Sequence, residues 1–330
     1  MNSLNNPRFN RLALMVALLS SGLAVSSAYA LPQDADVNLN AADGSYVVGV
    51  DGTTGNALGT LTVFQDNRVV NVGGGGINIA SNEILNVTHS GGNSNWSVLL
   101  KDTNTNGNSS LIDGVLKGDI RVLLVNGNGI IFGAGAQVDL KSLIATTHDI
   151  DAVEYADFNN IMNGNITLDS LGNNAKIVVN GLKTSLSGQS QIALIADRID
   201  VNGNVELSEA ELSLLVGGQV VVSNPANNLL QFEVTQALQT SANDQLINIS
   251  ANGNINAADV ALRAWATDPR SFAINNEGVV RAAGIDTTTP GVIRLVGHGA
   301  KIVSEGELNT ASVNGVGDIT AEAGSIELYG

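Results

Sequence analysis

The stretch RVLLVNGNGIIFGAGAQVDLKSLIATTHDI, residues 121–150, decides the fold. An apolar run, Val122–Val125, meets an Asn-Gly-Asn-Gly turn at Asn126–Gly129, and a second apolar run, Ile130–Phe132, follows. Gly133 and Gly135 then lead into another alternating stretch. This is strand, tight turn, strand, with no helical period between them.

The rest of the chain repeats the pattern. Short β-branched runs such as Tyr46–Val50, Leu61–Phe64, Trp96–Leu100, Lys176–Val179, Gln219–Val222 and Val292–Val296 alternate with Gly/Asn turns. Only Glu209–Leu215 and Gln236–Gln245 are candidates for short helices. The turn that starts at Asn126 recurs as Asn163-Gly-Asn, Asn202-Gly-Asn and Asn252-Gly-Asn. The first two intervals fit two coils of about 18–20 residues each, and the third two coils with an insertion. Near the end, Asn276-Glu-Gly returns as Ser304-Glu-Gly. Such self-similarity in short strands predicts an all-β, right-handed parallel β-helix, a solenoid in which each coil buries its inward residues against its neighbours. Asn and Gly suit its corners because they tolerate positive φ. Asn side chains stacked between coils can form hydrogen-bonded ladders. A β-sandwich is the competing architecture, disfavoured by the uniform corners and the lack of aromatic anchors.

Two zones are expected. Residues 31–160 are less regular, with Gly73–Gly76 and a polar loop at Lys101–Ser110, and are expected to hold an N-terminal cap and extra short hairpins. Residues 161–330 read as cleaner continuing coils. An uncapped first coil would be an aggregation-prone edge. The final Ser325–Gly330 stops on a strand pattern, which reads either as an incomplete chain or as one that continued into further coils.

Residues 1–30 read as a signal peptide rather than fold. Arg8 and Arg11 form a basic start, Leu12–Val25 is apolar apart from Ser20, Ser21 and Gly22, and Ala28-Tyr-Ala30 fits an A-x-A cleavage site. The apolar run is short for a membrane anchor, so no stable membrane insertion is expected. Removing it leaves 13 basic against 31 acidic residues. A chain this acidic repels nucleic acid and anionic membranes. It has no cysteine, so packing alone must hold an exported fold.

Chemical motifs are sparse. The histidines, His89, His148 and His298, lie far apart, and there is no nucleophile elbow. His148-Asp-Ile-Asp151 could suggest metal ligands, but reads better as a polar loop after a strand. Asp197-Arg-Ile-Asp200 is the best local cluster for a polysaccharide-cleaving site of the kind many β-helices carry, yet no second acidic cluster sits one coil away. Gly73–Gly76 lacks the Lys-Ser/Thr of a phosphate loop. Sequons at Asn86, Asn95, Asn108, Asn165 and Asn248 are expected by chance in an Asn-rich chain. The reading is therefore non-enzymatic: no catalytic residue, no metal and no cofactor.

Residues 110–150 closely resemble the secretion domain of the two-partner secretion exoproteins, the filamentous-haemagglutinin-like family. That family's core runs V-x-L-x-N-P-N-G-I-x-F-G, a small-residue loop, then a hydrophobic run ending S-T-x-D-I. Val122, Leu124, Asn126, Asn128, Gly129, Ile130, Phe132 and Gly133 match, followed by Ala136, Val138, Leu143, Ala145, Thr146 or Thr147, Asp149 and Ile150. Ser110–Leu116 resembles the family's preceding S-x-I-x-G-x-L strand. The family's proline is Gly127 here, and its Arg-Val-Thr-Gly-Gly element is only echoed by residues 85–92. The resemblance implies that residues 31–160 form the secretion-domain core. It implies recognition, while unfolded or partly folded, by the periplasmic domains of a cognate outer-membrane transporter, and release at the cell surface or into the medium. Asn126, Gly127, Asn128, Gly129, Ile130, Phe132 and Gly133 are then the recognition or folding motif. Host-cell or matrix glycans or proteins are the further partners it suggests. A polysaccharide-active enzyme and a short autonomous surface or matrix protein are the alternatives.

Overall fold

The computed structural model describes residues 30–91, 96–150, 165–186, 190–223, 230–284, 291–312, 315–316 and 319–328. The Ala28 side of the expected cleavage site, the Asn163 turn, the Asn95 sequon, Asp151 and the expected zone boundary at 160 lie outside these residues, as does Gly330.

The described chain winds as a parallel β-helix with three sheet faces. On the first face, Ser97–Asp102 pairs in parallel with Arg121–Val125, which pairs with Ser142–Thr146, which pairs with Ser190–Ala196. The ladder continues through the end of Arg198–Val216 and the later strands Asn254–Trp265 and Ile293–Ser304. One inward column therefore runs Val98, Val122, Leu143, Ile192, Leu212, Val260 and Ile293, all buried.

The second face carries a column of isoleucines. Ser110 is followed by Ile130, Ile177, Ile199, Ile247, Ile274 and Ile302, each directly on the next. All six isoleucines are fully buried. A β-branched side chain fits this stack because its fixed χ1 packs on identical neighbours. Each buried isoleucine contributes about 1.5–3 kcal/mol of transfer free energy. The third face is narrower, stacking Leu85, Leu116 and Val138, and later Leu182, Val205, Ile255 and Val280.

Coil length is less uniform than the turn spacing suggests. The steps from Ser110 to Ile130 and from Ile177 to Ile199 are close to the expected coil. Later coils are longer: Asn276 and Ser304, which stack at the end of this face, are 28 residues apart. Two steps, Ile130 to Ile177 and Ile199 to Ile247, are longer still. Each is one coil with an excursion, not two coils. The excursions supply Asp149–Ile150, Asn165–Asp169, Gln219–Ser223 and Gln231–Gln236, which pair as a separate antiparallel four-stranded sheet. This lateral sheet lays Ile150, Ile166, Leu168, Val220 and Val222 over the outer side of the first face, against Leu123, Ile144, Ile195 and Leu215. Three of these four lateral strands lie in residues 161–330, whereas Asp149–Ile150 and the antiparallel pair Gly44–Val50 and Ala57–Val63 lie in residues 31–160.

The N-terminal cap is antiparallel. Val37–Asn38 pairs with Arg68–Val72, and Gly44–Val50 with Ala57–Val63. Leu31 and Tyr46 plug the first rung from this cap.

Both helix candidates are strand or loop. Glu209–Leu215 lies inside the strand Arg198–Val216, and Gln236–Gln245 is a strand end and a loop. No helix among the described residues is long and apolar enough to cross a membrane.

Candidate functional site

The corner between Arg121–Val125 and Ile130–Phe132 joins the first face to the second. Its turn closes with the Gly129 N–H donating to the Asn126 carbonyl at 3.1 Å, and the Asn126 N–H donating to Thr146 of the next coil at 3.0 Å. Asn126 is fully buried. Its Oδ1 accepts the Asn128 N–H at 2.8 Å, an Asx turn that mimics a backbone turn. Its Nδ2 faces three acceptors: Ser110 Oγ at 2.9 Å, the Asn108 carbonyl at 3.1 Å and Asp102 Oδ2 at 3.2 Å. The Asn128 side chain, by contrast, is exposed.

Asp102 holds the equivalent position one coil earlier, since Lys101 pairs with Val125. Its Oδ2 also accepts from the Ile77 N–H and the Ser110 hydroxyl, both at 2.8 Å. Its Oδ1 accepts the Asn104 N–H at 3.0 Å and the Asn104 amide at 2.6 Å. Among the described residues no ion pair includes Asp102. A buried carboxylate is costly unless every lone pair finds a donor, and here neutral donors supply them. The loop before Ile77 is shaped to admit it. Gly76 has φ +80°, and a Cβ there would sit 2.6 Å from the Asp102 carboxylate.

The glycines of the motif differ in what they do. Gly129 takes φ +125°, and a Cβ would meet Ser109 Oγ at 2.6 Å and the Lys176 carbonyl at 3.1 Å. Gly127 is not in the left-handed region. Its missing Cβ leaves room for the Leu171 side chain, and its carbonyl accepts the Asn173 amide at 2.7 Å. A Cβ on Gly133 would overlap Asp113, whose Oδ1 accepts the Gly135 N–H at 2.9 Å. Ile130 and Phe132 are fully buried, and Phe132 stacks between Ile112 and Val179.

The other Asn-Gly-Asn copies sit elsewhere. Asn202-Gly203 lies within a continuous strand where the register shifts, and Ser250–Gly253 forms a turn between the second and third faces. Neither shares the Asn126 corner, and neither asparagine takes positive φ. Asparagine laddering is seen at Asn275, which donates to Asn248 one coil away at 2.9 Å.

The remaining candidates have structural partners. His148 and Asp197 are both buried, with Nε2 and Oδ1 3.3 Å apart, and the Ser170 hydroxyl donates to the same Oδ1. Burial pushes the Asp197 carboxyl up, but the close approach of His148 and the hydrogen bond from the Ser170 hydroxyl together hold it below its ordinary value. Arg198 pairs with Asp244 at 2.7 Å, Asp200 with Lys176 at 3.0 Å, and Asp149 with Lys101 at 2.6 Å. His89 lies 3.3 Å from Asp119 and packs on Trp96, and His298 packs on Trp265. Among the described residues no group of three or more His, Asp or Glu is set to hold a metal ion. Ala30, on the exposed side of the cap, and Leu31, buried beneath it, both donate their N–H to Glu83.

Sequence reasoning found the corner but missed Asp102 and Glu83, the buried acids that anchor it and the cap. Asp102 was legible only as the odd charge ending an apolar strand.

Residues 78–310 match the TPS secretion domain family, and the chain belongs to it. Its fold is similar to the HMW1 secretion domain from Haemophilus influenzae, with a TM-score of 0.59 and 17% identity over 88% of this chain and 70% of that one. It is also similar to the filamentous hemagglutinin secretion domain, with a TM-score of 0.51 and 15% identity over 91% of this chain and 99% of that one. A Heme/hemopexin-binding protein of Haemophilus influenzae is 28% identical over 159 residues, 47% of this chain and 16% of that protein. The chain thus spans a small part of the relative's length.

Proposed function

We propose that this chain carries the export address of an adhesin-like exoprotein. It passes through the periplasm after removal of its leader, is recognised there by the periplasmic domains of its cognate outer-membrane transporter, and stacks its coils at the cell surface or in the medium. The observation that carries this reading is the family match across residues 78–310, which includes the whole Asn126–Gly133 corner. Family membership implies the transporter as partner. Host glycans or proteins are the candidate partners of the exported protein once it is released.

Burial divides the labour within the corner. Asn126 is fully buried in the folded domain, so a transporter can read its side chain only before the corner closes. Asn128 stays exposed. Secretion through the partner transporter, measured for Asn126→Ala and Asn128→Ala separately and together, tests the assignment. The double substitution should sharply reduce secretion. Secretion equal to that of the unaltered chain would overturn the role of this corner in export.

A further inference from the structure

The cap contains a buried acid held by backbone amides. Glu83 is 3% exposed, and its two oxygens accept three backbone N–H groups: Ala30 at 2.7 Å, Leu31 at 3.0 Å and Ala80 at 2.8 Å. Among the described residues no Lys, Arg or His pairs with it. Ala80 belongs to the local turn that Glu83 closes, but Ala30 and Leu31 arrive from a distant part of the chain. Those two residues flank the bond that the leader reading places at the cleavage site.

We propose that Glu83 is the receptor for the new N-terminus, pairing with the Leu31 α-ammonium that leader cleavage creates. A signal peptidase hydrolyses the Ala30–Leu31 bond. Water gives its hydroxyl to the Ala30 carbonyl and a proton to the Leu31 nitrogen, which takes up a second proton from solvent and becomes an ammonium. In place of two neutral amides, Glu83 then faces a cation with three N–H donors. A buried carboxylate gains most from a partner that brings both charge and hydrogen bonds.

The surroundings are arranged to hold that terminus. Leu31 is 1% exposed and packs in the main core, whereas Ala30 is exposed, so the scissile bond lies where the chain leaves the protein. Tyr46 donates its hydroxyl to the Pro32 carbonyl at 2.8 Å, and Gln33 donates its amide to the Leu31 carbonyl at 3.0 Å. Burial first, then the charges of Glu83 and Asp34, push the Tyr46 phenol far above its ordinary value and keep it a neutral donor. Cleavage must precede closure, because a docked Leu31 is out of a peptidase's reach.

The inference rests on the leader reading, and the experiment separates the two. The full chain is exported through its own leader, purified, and its N-terminus sequenced, which tests the boundary alone. The native protein and the denatured one are then treated with an amine-reactive reagent, and labelling of the Leu31 peptide is read by mass spectrometry. Labelling in the native state should be slower by at least about tenfold, and Glu83→Gln should remove most of that protection. A second form that keeps residues 26–30 ahead of Leu31 presents only amides to Glu83. Denaturant midpoints of both forms, each with and without Glu83→Gln, complete a cycle that stays readable if one variant is weakened. Glu83→Gln should lower the midpoint more in the form that starts at Leu31. An N-terminus elsewhere, equal labelling in native and denatured protein, or equal midpoint losses in the two forms would each overturn the proposal.

Discussion

Asn126 sits one coil after Asp102 at the same corner of the helix, and its buried amide donates to the Asp102 carboxylate at 3.2 Å. The corner is therefore held by side chains passing between coils, as well as by the backbone ladder. Removing the amide takes one donor from the carboxylate and leaves the Asn128 N–H without its acceptor. Asn126→Ala should destabilise the domain by about 2–3 kcal/mol, read from denaturant unfolding. Asn128→Ala, exposed, should change stability by no more than about 0.5 kcal/mol. Similar losses at both positions would contradict this division.

Gly129 and Gly127 should respond in opposite ways. Gly129→Ala forces a side chain into φ +125° against the Lys176 carbonyl and should cost about 1–3 kcal/mol. Gly127→Ala meets only the tip of Leu171, a half-exposed side chain free to swing away, and should lie within about 0.5 kcal/mol of the parent. Thermal unfolding of the pair is the check, and a larger cost at Gly127 would refute it.

Phe132 fills the interior between Ile112 and Val179 with no exposure. Phe132→Ala should cost about 3–5 kcal/mol, and Phe132→Leu markedly less. Denaturant midpoints should follow that order, and a small loss in the alanine variant would show that the interior collapses around the gap.

Acid should act through Asp197. Its carboxyl is held below its ordinary value, so it binds a proton less readily folded than unfolded. Its contribution is full above the unfolded value of about 3.9 and is lost as pH falls through the lower folded value. Asp197→Asn should thus be less stable than the parent at pH 7, with the gap narrowing as pH drops below about 4. A gap unchanged between pH 6 and pH 3 would count against the assignment.

The solenoid was legible because its coils advertise their register. Asn276 and Ser304, matched by sequence, do stack on one another, and the Asn276 amide donates to the Ser304 hydroxyl at 3.0 Å. The Asn-Gly-Asn echo misled because different corners use the same letters for different reasons. At Asn126 a buried amide ties coils together, whereas at Asn202 a strand merely shifts register. The lateral sheet was illegible for a related reason. By covering the outer side of the first face, it buries both sides of those strands. Leu212 and Leu214 point into the main core while Leu215 faces the lateral sheet. The alternation that marks a strand breaks down at Leu214-Leu215-Val216, all three fully buried. The Asp102 and Glu83 roles depend on chain segments meeting in space, which one sequence does not display.

The register also sets a timetable. Most rungs wait for a partner only one coil away, as Ser110 does for Ile130 and Ile274 for Ile302. A chain delivered N-terminus first can lock each of these as soon as the next coil appears. The lateral sheet cannot. Asp169 pairs with Gln219, 50 residues later, so the outer side of the first face stays uncovered until several further rungs are in place. In such a delivery the sheet is a late clasp, fastened over coils that have already formed.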